Sequence, residues 1–138
     1  MGVVATFISL ILSAVIMGLS KPQAFVLFAL GRCYEECDRR FADKPLVVNM
    51  NKKAFIELAR AANMVSKGER AMYQNLEDLE QKKLISYENK SLKLTARGER
   101  HFQDILSKIE PYLAVSLLLR SENVLKYTKV QAKLAKTL

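Results

Sequence analysis

The sequence predicts a mainly α protein carrying one small β-hairpin, and three observations predict it. Apolar residues recur at three- and four-residue spacing through most of residues 20–110, the period of a single helix face. That period gives way to alternation only at Leu84-Ile85-Ser86-Tyr87 and Ser91-Leu92-Lys93-Leu94, with Asn89-Lys90 between them as a turn. Helix-start chemistry recurs: Ser20…Gln23 and Ser66…Glu69 have capping-box spacing, and Thr95 is placed to cap the helix after the hairpin. A length of 138 residues suits one ordinary domain with a real core.

The elements follow in order. Gly2 to Ser20 carries no charge, and Val3 to Met17 is nearly all apolar, about the minimum of ~17 residues for a membrane span. Residues 1–19 are expected to be an apolar helix, with three readings open. It is an anchor that leaves the basic remainder in the cytoplasm, or a helix buried against a partner subunit, or a stretch ahead of a true start at Met17. A secretory signal is disfavoured, since neither a basic n-region nor a small-x-small cleavage site precedes Ser20.

From Ser20 a helix is expected to about Phe41, with proline in its first turn and Val26, Leu30, Cys33, Cys37 and Phe41 on one stripe. Lys44-Pro45 ends it, and Leu46-Val47-Val48 reads as a short strand able to pair with the hairpin. Asn49 or Asn51 caps the next helix, whose Phe55, Leu58, Ala59 and Ala62 should face inward, and Asn63-Met64 turns. A helix over about 67–82 should bury Met72, Leu76 and Leu79, and the hairpin should span about 84–94. After Thr95, Phe102, Ile105, Leu106 and Ile109 mark another helix, which Pro111 should interrupt. Leu113 to Leu119 is apolar on nearly all sides and is expected to be buried between subunits. Ser121 to Leu138 sets Val124, Leu125, Val130 and Leu134 beside Lys126, Lys129, Lys133 and Lys136, lysines suited to phosphate, lipid headgroups or solvent.

Helix, strand, two helices joined by a turn, then a hairpin is the order of a winged helix-turn-helix, here with additional N- and C-terminal helices. Residues 20–110 form that unit, and 111–138 form a helical, basic segment expected to dimerise.

The run Leu76-Glu77-Asp78-Leu79-Glu80-Gln81-Lys82-Lys83-Leu84-Ile85, followed by Leu94-Thr95-Ala96-Arg97-Gly98, resembles the winged-helix regulators of the MarR and PadR type. Those share the pattern L-x-x-L-E-x-x-G-L-I … L-T-x-x-G across recognition helix and wing, over roughly a third to a half of this chain. Lys83 stands where that family usually has glycine, and the hairpin is shorter than most wings. The resemblance implies double-stranded DNA as partner, usually bound by a homodimer; it supplies neither operator nor ligand.

Charge agrees with a polyanionic partner, either nucleic acid or an anionic membrane surface. The net charge is +8, with ten Lys/Arg against five acids from Leu84 onward and seven against five over Asn51–Lys83. With Met72, Leu76 and Leu79 buried, Lys67, Arg70, Tyr73 and Gln74 fall near the exposed side of the first two turns of the recognition helix. Arg70 suits guanine O6/N7 and Gln74 adenine N6/N7, each through two bonds. Lys67 and the Tyr73 hydroxyl suit phosphate, although Tyr73 also fits a half-buried core position. Glu77, Asp78 and Glu80 follow at once, so only the N-terminal part of this helix should approach DNA. Lys90 and Lys93 in the hairpin, then Arg97 and Arg100, are candidate backbone contacts.

Nothing in the sequence points to catalysis. His101 is the one histidine, and no nucleophile can be placed beside it. Cys33 and Cys37 lie four apart on an apolar stripe, which reads as core thiols; a zinc site needs four ligands, or three plus water, and this pair with one histidine leaves the set thin. No Gly-rich phosphate loop is present, so neither enzyme, cofactor nor metal is expected. The expectation is a cytoplasmic, nucleoid-associated DNA-binding protein, either a dimeric transcriptional regulator or a general DNA-coating protein. The alternative is a winged-helix protein-interaction module recruited to a membrane through residues 3–19.

Overall fold

Ser20 opens the first helix, α1 (Lys21–Phe41), with a closed capping box. Its Oγ accepts the Gln23 amide at 3.2 Å, and Gln23 Oε1 accepts the Ser20 amide at 3.3 Å. In this computed structural model, which describes residues 18–65, 68–121 and 124–128, α1 packs against the helices and the hairpin that follow. It buries Ala24, Val26, Leu27, Leu30 and Gly31. The expected stripe therefore holds as far as Leu30. Cys33, Cys37 and Phe41 are only half-buried, because the closely packed part of α1 ends at Gly31.

Leu46-Val47-Val48 is not a strand. The sheet has two strands only, among the described residues, and Leu46 and Val47 are 56% and 84% exposed. The Leu46 amide closes a tight turn onto the Lys44 carbonyl at 2.8 Å, a local bond in place of a ladder bond to the hairpin. One ladder-like bond survives further on, from the Leu92 amide to the Met50 carbonyl at 2.7 Å.

Asn51 caps α2 (Lys52–Ala61), accepting the Ala54 amide at 2.7 Å. The inward set is Phe55, Ile56 and Ala59. Leu58 and Ala62, expected inside, lie at the surface, so the buried face is rotated toward Ile56. Asn63 then turns the chain with φ 59°.

Helix α3 (Glu69–Gln81) buries Met72, Leu76 and Leu79 as expected, but it starts late. Gly68, at φ 96°, is its cap and supplies no side-chain bond. Glu69 is therefore the first helical residue and not the third of a capping box; its carboxylate pairs with Arg60 instead. Ser66 and Lys67 lie outside the described residues. The C-terminus closes with the Leu84 amide on the Leu79 carbonyl and the Lys83 amide on the Glu80 carbonyl, both at 3.0 Å. This is the Schellman arrangement, and it sets Lys83 in the left-handed region at φ 61°.

Strands β1 (Ile85–Glu88) and β2 (Ser91–Leu94) pair antiparallel, Ile85 opposite Leu94 and Tyr87 opposite Leu92. Asn89 and Lys90, at φ 52° and 58°, make the two-residue turn whose twist matches the strands. Thr95 then joins hairpin to helix. Its Oγ1 accepts the Gly98 amide at 3.1 Å and donates to the Lys83 carbonyl at 2.6 Å, while its amide reaches the Leu84 carbonyl at 3.1 Å.

Helix α4 (Ala96–Ser121) runs unbroken for 26 residues, ~39 Å at 1.5 Å per residue. The expected interruption at Pro111 does not occur. Proline removes one helical bond, to the Ser107 carbonyl, and both residues lie on the exposed side, where the unpaired carbonyl is not buried. Up to Ile109 the helix buries Phe102, Ile105, Leu106 and Ile109; beyond it Val115, Leu117, Leu118 and Leu119 are exposed. A short 3-10 turn, Val124–Tyr127, follows.

Two glycines mark close approaches. A Cβ at Gly31 would lie 2.5 Å from the Phe102 ring, and one at Gly98 would lie 1.9 Å from the Leu84 carbonyl oxygen. Among the described residues no helix is long and apolar enough to cross a membrane. Residues 1–17, with the three readings of the N-terminal segment, fall outside them, as do Val130, Leu134 and the lysines at 129, 133 and 136.

Candidate nucleic-acid interface

Helices α2 and α3 run back alongside each other and are tied at both ends. Arg60 pairs with Glu69 at one, and Lys52 reaches Glu80 at 2.7 Å at the other. The Lys52 ammonium also sits 4.5 Å from the centre of the Tyr87 ring, fixing the hairpin against α2. The outer face of α3 is thereby set in orientation, with Arg70, Gln74, Glu77 and Gln81 exposed along it.

The expected contact residues divide. Arg70 is exposed in the first turn of α3 and has no ion-pair partner among the described residues. Gln74 lies one turn further on the same side, but its Nε2 donates to Asp78 Oδ1 at 3.0 Å. Tyr73 is half-buried and packs against the core, the plainer of its two expected roles. Lys67 is outside the described residues. Lys90 is exposed at the hairpin tip. Lys93 borders a concavity of about 360 Å³ that it shares with Glu35, Asp38 and Glu99, so its immediate surroundings are acidic. Arg97 lies at the other end of α3 from Arg70, its Nη1 donating to the Lys82 carbonyl at 3.4 Å. Arg70 and Gln74 are thus brought together; Lys93 and Arg97 are not brought to them.

Electrostatics restrict the face further. Helix α3 carries Arg70 against four acids, Glu69, Glu77, Asp78 and Glu80, so only its first turn offers an uncompensated cation. On α1, Glu36 bonds Arg39 and Arg40, and these guanidinium groups, Arg39 first, hold its carboxyl down at about 2. Arg32 is likewise engaged with Glu35. Half of the net +8 comes from residues 111–138, with five basic residues and one acid; residues 1–110 hold 17 and 13.

Two features were not anticipated from the sequence. One is an apolar groove of about 400 Å³ between α1 and α2, lined by Phe25, Phe28, Cys33, Cys37, Phe41 and Leu58. Burial, followed by the neighbouring Cys37, pushes the Cys33 thiol up, so it stays protonated and packs as an apolar group. The other is a convergence of Lys82, Lys83, Arg97, Arg100 and His101 where α3 ends and α4 begins. Its signal is the Thr95 link, which folds residues 82–83 against 97–101. Among the described residues no group of three or more His, Cys, Asp and Glu side chains converges on a metal position. Comparison of the chain with protein-family models, curated proteins and solved structures finds no match.

Proposed function

We propose that the chain is a winged-helix DNA-binding protein, with α2, the Asn63 turn and α3 as its helix-turn-helix and β1–β2 as a short wing. Arg70 carries this reading: on the first exposed turn of an otherwise acidic helix, its guanidinium has no ion-pair partner among the described residues. Docked end-on, α3 presents Arg70 and the positive end of its dipole to the duplex, while Glu77 and Asp78 stay clear of the phosphates. Lys90 at the hairpin tip then reaches the backbone. The pattern shared with MarR- and PadR-type regulators supports the same docking and a homodimer, whose contact we assign to the exposed apolar part of α4. A transcriptional regulator and a DNA-coating protein differ in the ratio of specific to nonspecific affinity.

The test is duplex binding by fluorescence anisotropy, parent against Arg70→Ala. Loss of a two-bond base contact costs ~1–3 kcal/mol and relaxes preference at one base pair. Equal affinity on every duplex removes Arg70 from the interface. A second reading, a protein-interaction module, is favoured by the apolar groove between α1 and α2 together with the acidity of α3. It predicts no duplex binding even at low salt.

A further inference from the structure

The end of α3 and the start of α4 hold five cationic or ionisable-to-cation side chains around two adjoining concavities of about 510 and 330 Å³. Arg97 and His101 line both; Lys82 and Lys83 line the first, Arg100 the second. The only acid among the described residues lining either is Asp104. Cations at a helix C-terminus complement its dipole, and the bond from Arg97 to the Lys82 carbonyl does this for α3. That role needs one group, not five. Lys82 spends two of its three N–H donors on the Gly18 carbonyl and Gln23, which hold its ammonium in place at the rim.

Lys83 adds an independent observation. It occupies a left-handed position, φ 61°, where glycine is the unstrained choice and a side chain costs stability. A residue that breaks a local rule without a folding benefit marks a place where the side chain is wanted for something else. Here the side chain is an ammonium beside two guanidinium groups. We propose that Lys82, Lys83, Arg97, Arg100 and His101 form a phosphate-binding site separate from the Arg70 end of α3. The phosphate comes either from the backbone of a bound nucleic acid, which would deepen the DNA reading above and rests on it, or from a free phosphorylated small molecule.

The variant Lys83→Gly/Arg100→Ala tests this in the full chain, since it removes two cations while relieving the strain at position 83. Inorganic pyrophosphate is titrated at low salt, and duplex affinity is followed over a salt series. The expected result is at least a tenfold loss of pyrophosphate affinity with no fall in melting temperature. If the backbone is the source, the slope of log affinity against log salt also becomes shallower by ~0.9 for each phosphate that is no longer neutralised. An unchanged slope with pyrophosphate binding abolished assigns the site to a free phosphorylated ligand. Pyrophosphate binding equal in parent and variant overturns the proposal, as does its absence from the parent together with an unchanged slope. If the parent binds no duplex at all, the Arg70 reading fails alone, and the pyrophosphate titration still decides this site.

Discussion

Lys83 shows how a single dihedral joins sequence to fold. Its amide must reach the Glu80 carbonyl and that of Leu84 the Leu79 carbonyl, and both bonds require a left-handed residue between helix and strand. Replacing Lys83 by glycine should stabilise the fold by about 1 kcal/mol, seen as a higher denaturant midpoint at unchanged slope. A lower midpoint would mean that the lysine side chain contributes more than its backbone strain costs. The glycine of the MarR- and PadR-type pattern made this position conspicuous in the sequence, but did not make its left-handed backbone readable. Glu69 was not readable either, because Ser66…Glu69 matches a capping box equally well whether the helix starts before or after Gly68; only φ 96° at Gly68 decides it. Tyr73 was ambiguous for a related reason, since a phenol suits both a half-buried site and a phosphate.

At the scale of elements, periodic helices were legible and marginal ones were not. Helices α1, α2 and α3 fall within two residues of expectation because caps and apolar spacing agree. Residues 46–48 are not a strand because three apolar residues specify one only where a sheet pairs with them, and here the Leu46 amide is taken by a turn over Pro45. Pro111 failed in the other direction: one missing bond on an exposed face does not break a helix anchored by four buried residues ahead of it. Gly98 is the tightest joint between elements. Gly98→Ala would force its Cβ into the Leu84 carbonyl, so α4 and the hairpin must separate, at a cost of roughly 2–3 kcal/mol. Thermal melts of Gly98→Ala matching the parent would show that this joint is looser than its geometry. Phe102, fully buried against Gly31 and Phe28, should cost ~3–5 kcal/mol when cut to alanine.

The whole molecule pairs a well-packed body with a long, apolar, unburied helical extension and an uneven charge. The exposed Val115, Leu117, Leu118 and Leu119 should make the full chain a dimer, and Leu117→Glu/Leu118→Glu should yield monomer in sedimentation. A dimer that survives both substitutions would place the contact elsewhere. Net charge alone pointed to a polyanion, but which cations stay free was legible only in part: the Arg32, Arg39 and Arg40 pairs lie three or four residues apart on α1, whereas Lys52 with Glu80 and Arg60 with Glu69 pair across helices. Whether DNA meets the first turn of α3 can be read from backbone amide shifts on adding a duplex. For DNA docked there, shifts should cluster at Gly68–Gln74 and at the Asn89-Lys90 tip, with fewer of them in Arg70→Ala. Shifts confined to the groove between α1 and α2, or none at low salt, would contradict that docking.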